Sequence, residues 1–203
     1  MLSSLRTGLF EQGDGIMNLL SEDEGRRALR LARGTLDHVI GNQAKPEMVL
    51  TPVFSEKRGV FVTLTIEGDL RGCIGFPYPV MPLGDAIAEA ATAAALQDPR
   101  FLPVKKRELA TIRLEVTVLT VPVVMDGAPM DRPAKVIVGK HGLIIKGRGR
   151  SGLLLPQVAT EYGWNATEFL DHTCIKAGFP GRCWDTQGVE VLTFEGQIFT
   201  EDR

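Results

Sequence analysis

The sequence predicts an α+β fold with mixed or antiparallel sheets and no doubly wound parallel core. Two observations carry this. Turn residues at Glu67-Gly68-Asp69 and at Gly139-Lys140-His141-Gly142 join consecutive apolar runs as hairpins, where a βαβ unit would need a long crossover. Capped stretches of helical period, at residues 21–40 and 165–177, stand beside strictly alternating stretches at residues 60–66 and 111–121.

Residues 1–18 show no period and are interrupted by Gly8, Gly13 and Gly15, so an irregular arm is expected. Ser21-Glu22-Asp23-Glu24 is a capping box, and the helix it opens runs to about Ile40. Its apolar stripe is Ala28, Leu31, Ala32, Leu36, Val39 and Ile40, and Gly41-Asn42 stops it. Residues 60–66 alternate, with Val60, Val62, Leu64 and Ile66 on the core face.

After the turn the chain returns as Leu70-Arg71-Gly72-Cys73-Ile74-Gly75-Phe76. Period two puts Leu70, Ile74 and Phe76 on the core face, with Gly72 between them. Arg71 and Cys73 then share the other face, beside the bare backbone of Gly75. Residues 81–97 read as an alanine-rich helix with Ala86, Ile87, Ala90 and Ala94 along one side, and Asp98-Pro99 ends it. Residues 111–121 form a strand burying Ile112, Leu114, Val116 and Val118.

A proline-rich loop follows. Val136-Ile137-Val138 and Leu143-Ile144-Ile145 are expected to pair as a second hairpin, with residues 147–152 a further turn. Leu153-Leu154-Leu155 is a short buried run and Pro156 starts a short helix. Asn165 caps another helix with Glu168 at N3, Gly178 ends it, and residues 189–199 close the chain as a strand.

The bulk numbers exclude several classes. A chain of 203 residues suits one domain of ordinary to large size, or two small lobes sharing a core. A hydrophobic fraction of 44% with 24% charged residues is globular rather than disordered. Net charge −2 and a pI near 6.0 argue against a dedicated nucleic-acid binder. No secretory h-region is present, and the longest uncharged segment, residues 72–84, contains Pro77, Pro79 and Pro82. A cytoplasmic protein with no membrane association is expected. Cys73, Cys174 and Cys183 are an odd, sparse set, so three free thiols are expected.

Other constellations reduce to plain readings. His172 and Cys174 lie two apart on a helix, about 200° around its axis, and cannot chelate one ion. With no CxxC or HExxH, no metal and no cofactor are expected. Gly147-Arg148-Gly149-Arg150-Ser151-Gly152 is literally GxGxxG, but three leucines and Pro156 follow where the fingerprint needs a helix, so it reads as a basic turn. Lys140, Lys146, Arg148 and Arg150 make a local anion or RNA footprint without an interleaved aromatic. His38, His141 and His172 fall in no triad motif.

Leu70-Arg71-Gly72-Cys73-Ile74-Gly75 resembles the signature of the AMMECR domain family (the Alport syndrome, mental retardation, midface hypoplasia and elliptocytosis chromosomal-region protein). Asp98-Pro99-Arg100-Phe101, the stretch from Gly139 to Ile145 and that from Ser151 to Ala159 are similar to the family too. So are Phe169-Leu170, Thr173-Cys174 and Trp184. The family often has Asp at the position of His141. The resemblance covers roughly residues 21–199, assigning residues 19–203 to one AMMECR-type domain after the arm.

It implies a larger lobe from both chain ends, a smaller lobe from the middle and a cleft between them. Stand-alone prokaryotic members are often encoded beside a Memo-like protein and a radical-SAM protein, which the resemblance makes candidate partners. The resemblance implies no established biochemical function and assigns no catalytic role, though roles in transcription, replication, repair or translation have been suggested for the family.

Two functional readings follow. In the first, the cleft binds an anionic ligand or substrate: Arg71, Gly72 and Gly75 hold it and Cys73 is the candidate nucleophile. The bland counterpart is a packed thiol beside an ion-paired Arg71. In the second, the protein is a non-catalytic adaptor that binds a protein or nucleic acid through the same face or the basic hairpin.

Overall fold

The structure is a computed structural model and describes residues 19–201; the expected irregular arm, residues 1–18, lies outside them. In chain order the main elements are α1 (Glu22–Val39), β1 (Val60–Ile66), β2 (Asp69–Phe76), α2 (Leu83–Leu96), β3 (Ile112–Leu119) and β4 (Val123–Val124). Then come α3 (Arg132–Lys135), β5 (Gly142–Gly147), β6 (Arg150–Leu154), α4 (Pro156–Glu161), α5 (Ala166–Lys176), β7 (Glu190–Phe194) and β8 (Gly196–Thr200). The strands form two four-stranded sheets, ordered β2-β1-β3-β8 and β4-β7-β5-β6, antiparallel at every pairing. The fold is α+β.

Local chemistry explains the helix ends. Ser21 Oγ accepts from the Glu24 N–H at 3.3 Å, and the Glu24 carboxylate accepts from the Ser21 N–H at 2.8 Å. Asn165 Oδ1 accepts from the Thr167 and Glu168 N–H groups, both at 3.0 Å. Gly178, at φ +78°, takes the left-handed conformation that ends α5.

α1 and α2 pack on one face of the first sheet. There Val60, Val62, Leu64, Ile112, Leu114, Val116 and Val118 meet Leu31, Leu36, Ile87 and the alanines of α2 in one core. A second core lies between α5 and the second sheet, around Leu143, Ile145, Val191, Phe169, Leu170 and Trp184. A third, small cluster of Leu119, Ile144, Leu192 and Phe194 joins the sheets, with Phe61, Tyr78, Leu153 and Leu155 against it. The other face of the first sheet thus turns toward the second sheet.

Five expectations are corrected. Residues 136–138 are not a strand. Both edges of β5 are taken by β6 and β7, and the segment instead turns, with the His141 N–H bonded to Ile137 O at 2.9 Å. The second hairpin is therefore β5–β6, and its turn is Arg148-Gly149, with strand already resumed at Arg150.

Residues 189–199 are not one strand. The chain changes sheet at Glu195, whose N–H bonds Thr120 Oγ1 and whose carbonyl accepts from the Thr120 N–H, each at 2.8 Å. Leu70 is 43% exposed rather than buried.

Finally, the three thiols are not all free. Cys174, at the end of α5, is bridged to Cys183, which the turn after the helix brings to a Cα–Cα distance of 5.7 Å. Cys73 is free. An odd count does not forbid one pair, and nine residues suffice to fold one cysteine back on the other.

Candidate functional site

The site begins with a slip in register. β1 and β2 pair regularly from Val60↔Phe76 to Leu64↔Gly72, but Thr65 pairs with Leu70. Arg71 is the extra residue of a β-bulge, and alternation resets across it. Gly72, Ile74 and Phe76 face the helices with Leu64, Val62 and Val60, whereas Leu70 is thrown to the other face. The expectation that Leu70 would share the core face with Ile74 and Phe76 fails for this reason.

Cys73 lies in a row with Thr63 and Glu115 across three strands on the face opposite α1 and α2. The next row is Gly75, Phe61, Thr117 and Ile198. These rows floor a cavity of about 560 Å³. Its opposite wall comes from Gly139 and Lys140 before β5, Leu155 to Gln157 at the start of α4, and Glu195.

Cys73 is held at three atoms. Thr63 Oγ1 donates to its Sγ at 3.3 Å. Its backbone N–H donates to Asp98 Oδ2 at 2.9 Å, and its carbonyl accepts from Arg100 at 3.2 Å. β2 is the edge strand of its sheet, so Asp98 and Arg100 close an edge that would otherwise stand open. The Asp98 carboxylate also takes the Arg100 guanidinium at 2.7 Å. That bond, with the backbone N–H groups of Cys73 and Arg100 against the cost of burial, holds the Asp98 carboxyl well below the usual carboxylate range. The Asp98-Pro99-Arg100-Phe101 stretch thus clamps the strand that carries Cys73.

Arg71 does not join Cys73 in the cavity. The bulge sends it to the sheet edge, where Nε donates to Glu108 at 2.8 Å and Nη2 to Leu102 O at 2.9 Å, with Phe101 5.9 Å away. The Arg71 bond lowers the Glu108 pKa in turn. Gly72 serves packing: a Cβ there would lie 2.2 Å from Ala94 O of α2. Gly75 makes room for a ring, since its Cβ would lie 2.4 Å from Phe61 Cδ1.

The polar wall was not foreseen. Lys140 Nζ lies 3.1 Å from Glu195 Oε1, an ion pair at an angle outside hydrogen bonding, and His141 Nε2 lies 3.8 Å from the same oxygen. Burial, partly offset by Glu195, pushes the His141 pKa down. Glu115 has no ion pair or hydrogen bond among the described residues, and no group of three His, Cys, Asp or Glu there is placed to hold a metal. Thr63 and Glu115 could have been found by carrying the alternation of β1 and β3 to their second face; Glu195 required the sheet change. Two open grooves of about 630 and 660 Å³ flank α1, but both include Arg33, whose guanidinium is committed to Glu201 and to backbone carbonyls.

The AMMECR1 family pattern matches residues 29–199. The chain belongs to the AMMECR1 family. It is 50% identical over 188 residues to a protein of Methanosarcina barkeri, covering 90% of this chain and 93% of that one. A Pyrococcus furiosus protein is 44% identical over 193 residues, 92% of each chain. An uncharacterized protein from Pyrococcus horikoshii, known from a crystal structure, superposes with a TM-score of 0.70 at 44% identity, covering 89% of this chain and 92% of that one. No name among these states an activity. Within this AMMECR1 chain, the Arg71–Gly75 stretch and the Asp98–Phe101 stretch are the two halves of one clamp. No helix of the described residues is long and apolar enough to cross a membrane.

Proposed function

We propose that this AMMECR1-family protein binds a small organic molecule in the cavity between its sheets and that Cys73 contacts the bound molecule there. One observation carries the reading: the free thiol, half-buried, lines a cavity of about 560 Å³ on the face opposite α1 and α2. Thr63 and the Asp98–Arg100 clamp support it, because they fix the thiol rather than leave it to rotate with a loose edge. The anionic class expected of the ligand loses its support. It rested on Arg71, whose guanidinium is committed to Glu108, while Gly72 and Gly75 are occupied with packing.

The adaptor reading retains the exposed Lys146 and Arg148 at the β5–β6 tip. Arg150 is drawn away to Gly178 O at 2.6 Å and toward the Phe179 ring.

The test is native labelling. N-ethylmaleimide should add once to the folded protein under non-reducing conditions, at Cys73. If the thiol resists until the protein is denatured, the cavity is closed to small molecules and the reading fails.

A further inference from the structure

We propose that the molecule the cavity takes is an organic ammonium, held by the Glu115 carboxylate beside the Phe61 ring. This rests on the cavity reading above and names its ligand class.

Among the described residues, three formally charged side chains line the cavity: Lys140, Glu195 and Glu115. Lys140 and Glu195 are within 3.1 Å of each other and cancel. His141, against the same glutamate, is 12% exposed and is kept from ionising mainly by burial, so it adds no cation near neutral pH. The cations nearest the thiol strand face other acids: Arg71 takes Glu108 and Arg100 takes Asp98. Arg113 lies two residues before Glu115 on the same face of β3, but it lines the groove beside α1 rather than this cavity. Glu115 is left as the unmatched charge, half-buried and without an ion pair or hydrogen bond among the described residues.

A carboxylate drawn partly out of water without a partner is costly, and an incoming cation relieves the cost. An incoming carboxylate or phosphate would add to it.

The apolar surface agrees. Phe61 pairs with Thr117, the next pair on the same face after Thr63–Glu115, so the two positions are diagonal neighbours, and both side chains line the cavity although the ring leans over Gly75. A ring beside an acid is the pairing that organic ammonium groups favour, combining cation–π attraction with an ion pair. Leu119, Leu155, Pro156 and Ile198 offer the remaining wall to a hydrocarbon portion. Cys73 lies one strand beyond Thr63 in the same row as Glu115, so a ligand anchored at Glu115 lies across Thr63 toward the thiol.

Protection of Cys73 from N-ethylmaleimide reads occupancy directly. The probes are benzylammonium and benzoate, matched in size and opposite in charge, at neutral pH. Benzylammonium should slow labelling in a saturable way, and benzoate should not at the same concentrations. Glu115→Gln should weaken the protection by about tenfold or more, the worth of one charge-assisted contact. Because the Glu115 Oε atoms make no ion pair or hydrogen bond among the described residues, the variant should melt no lower than the parent. If benzoate protects as well as benzylammonium, or if Glu115→Gln leaves protection unchanged, the charge inference is wrong and the cavity reading survives. If neither probe slows labelling at millimolar concentration, the ammonium inference is overturned, while the cavity reading still stands or falls on native labelling itself.

Discussion

The β1–β2 and β5–β6 hairpins are built alike and end differently. Each turns on two residues with positive φ, Glu67-Gly68 at +55° and +93° and Arg148-Gly149 at +47° and +73°. Each return strand then carries a glycine that seats a helix. A Cβ on Gly72 would lie 2.2 Å from Ala94 O, and one on Gly152 would lie 2.3 Å from Ala177 N. The contrast is on the second face.

β5 is buried throughout its middle, with Leu143 and Ile145 in the α5 core and Ile144 in the cluster between sheets. β2 carries a bulge, and its second face turns Cys73 into a cavity. The same local chemistry therefore makes a scaffold in one place and a candidate site in the other. What packs on the second face decides which.

The two glycine seats give the largest expected effects. Gly72→Ala and Gly152→Ala push a methyl into helix backbone that cannot swing aside, at a cost of about 3 kcal/mol, the upper part of the overpacking range. Melting temperatures should fall by roughly 6–12 °C. Gly68→Ala and Gly149→Ala meet open space at the tips and carry only the left-handed penalty, about 1 kcal/mol. Thermal melts in which tip and seat variants fall equally would break the parallel between the hairpins.

The Cys174–Cys183 bridge sharpens the contrast, because it staples only the half that holds the second hairpin. Intact mass after non-reducing denaturation with alkylating agent should show one adduct, and three after reduction. Three adducts without reduction would show that the bridge is absent in solution. Closing so short a loop is worth about 2–3 kcal/mol in the chain-entropy account. Hydrogen exchange after reduction should quicken around α5 and leave β1–β2 unchanged.

The smallest of the three effects concerns the Asp98 clamp on β2. Asp98→Asn keeps the shape and removes the charge, and should cost about 2 kcal/mol at neutral pH as charge-assisted bonds weaken. The sign with pH follows from a folded-state pKa held below the unfolded value of about 4. The clamp's contribution is fully present above that value and is lost as the pH falls below it toward the folded value. Urea unfolding from pH 6 down to pH 2.5 should therefore show a steeper acid loss in the parent than in Asp98→Asn. Parallel curves would mean that Asp98 is not held as its contacts indicate.

Much of this was legible in the sequence, and the legible parts share a cause. The Ser21 and Asn165 caps, the Glu67-Gly68 turn and the buried faces of α1, β1 and β3 depend on residues no more than a few positions apart, so composition and period determine them. The family signature was legible for the same reason.

Tertiary structure alone decided the rest. The bulge that parts Arg71 from Cys73 lies in a strand held on one side by β1 and on the other by a loop 25 residues further on. The sheet change at Glu195 depends on Thr120, 75 residues away. Residues 136–138 find no strand partner in β5 because β6 and β7 occupy both of its edges. The acid at Glu115 and the thiol at Cys73 face one cavity only because three strands align their rows, and alignment between strands is a contact between distant residues that no local period encodes.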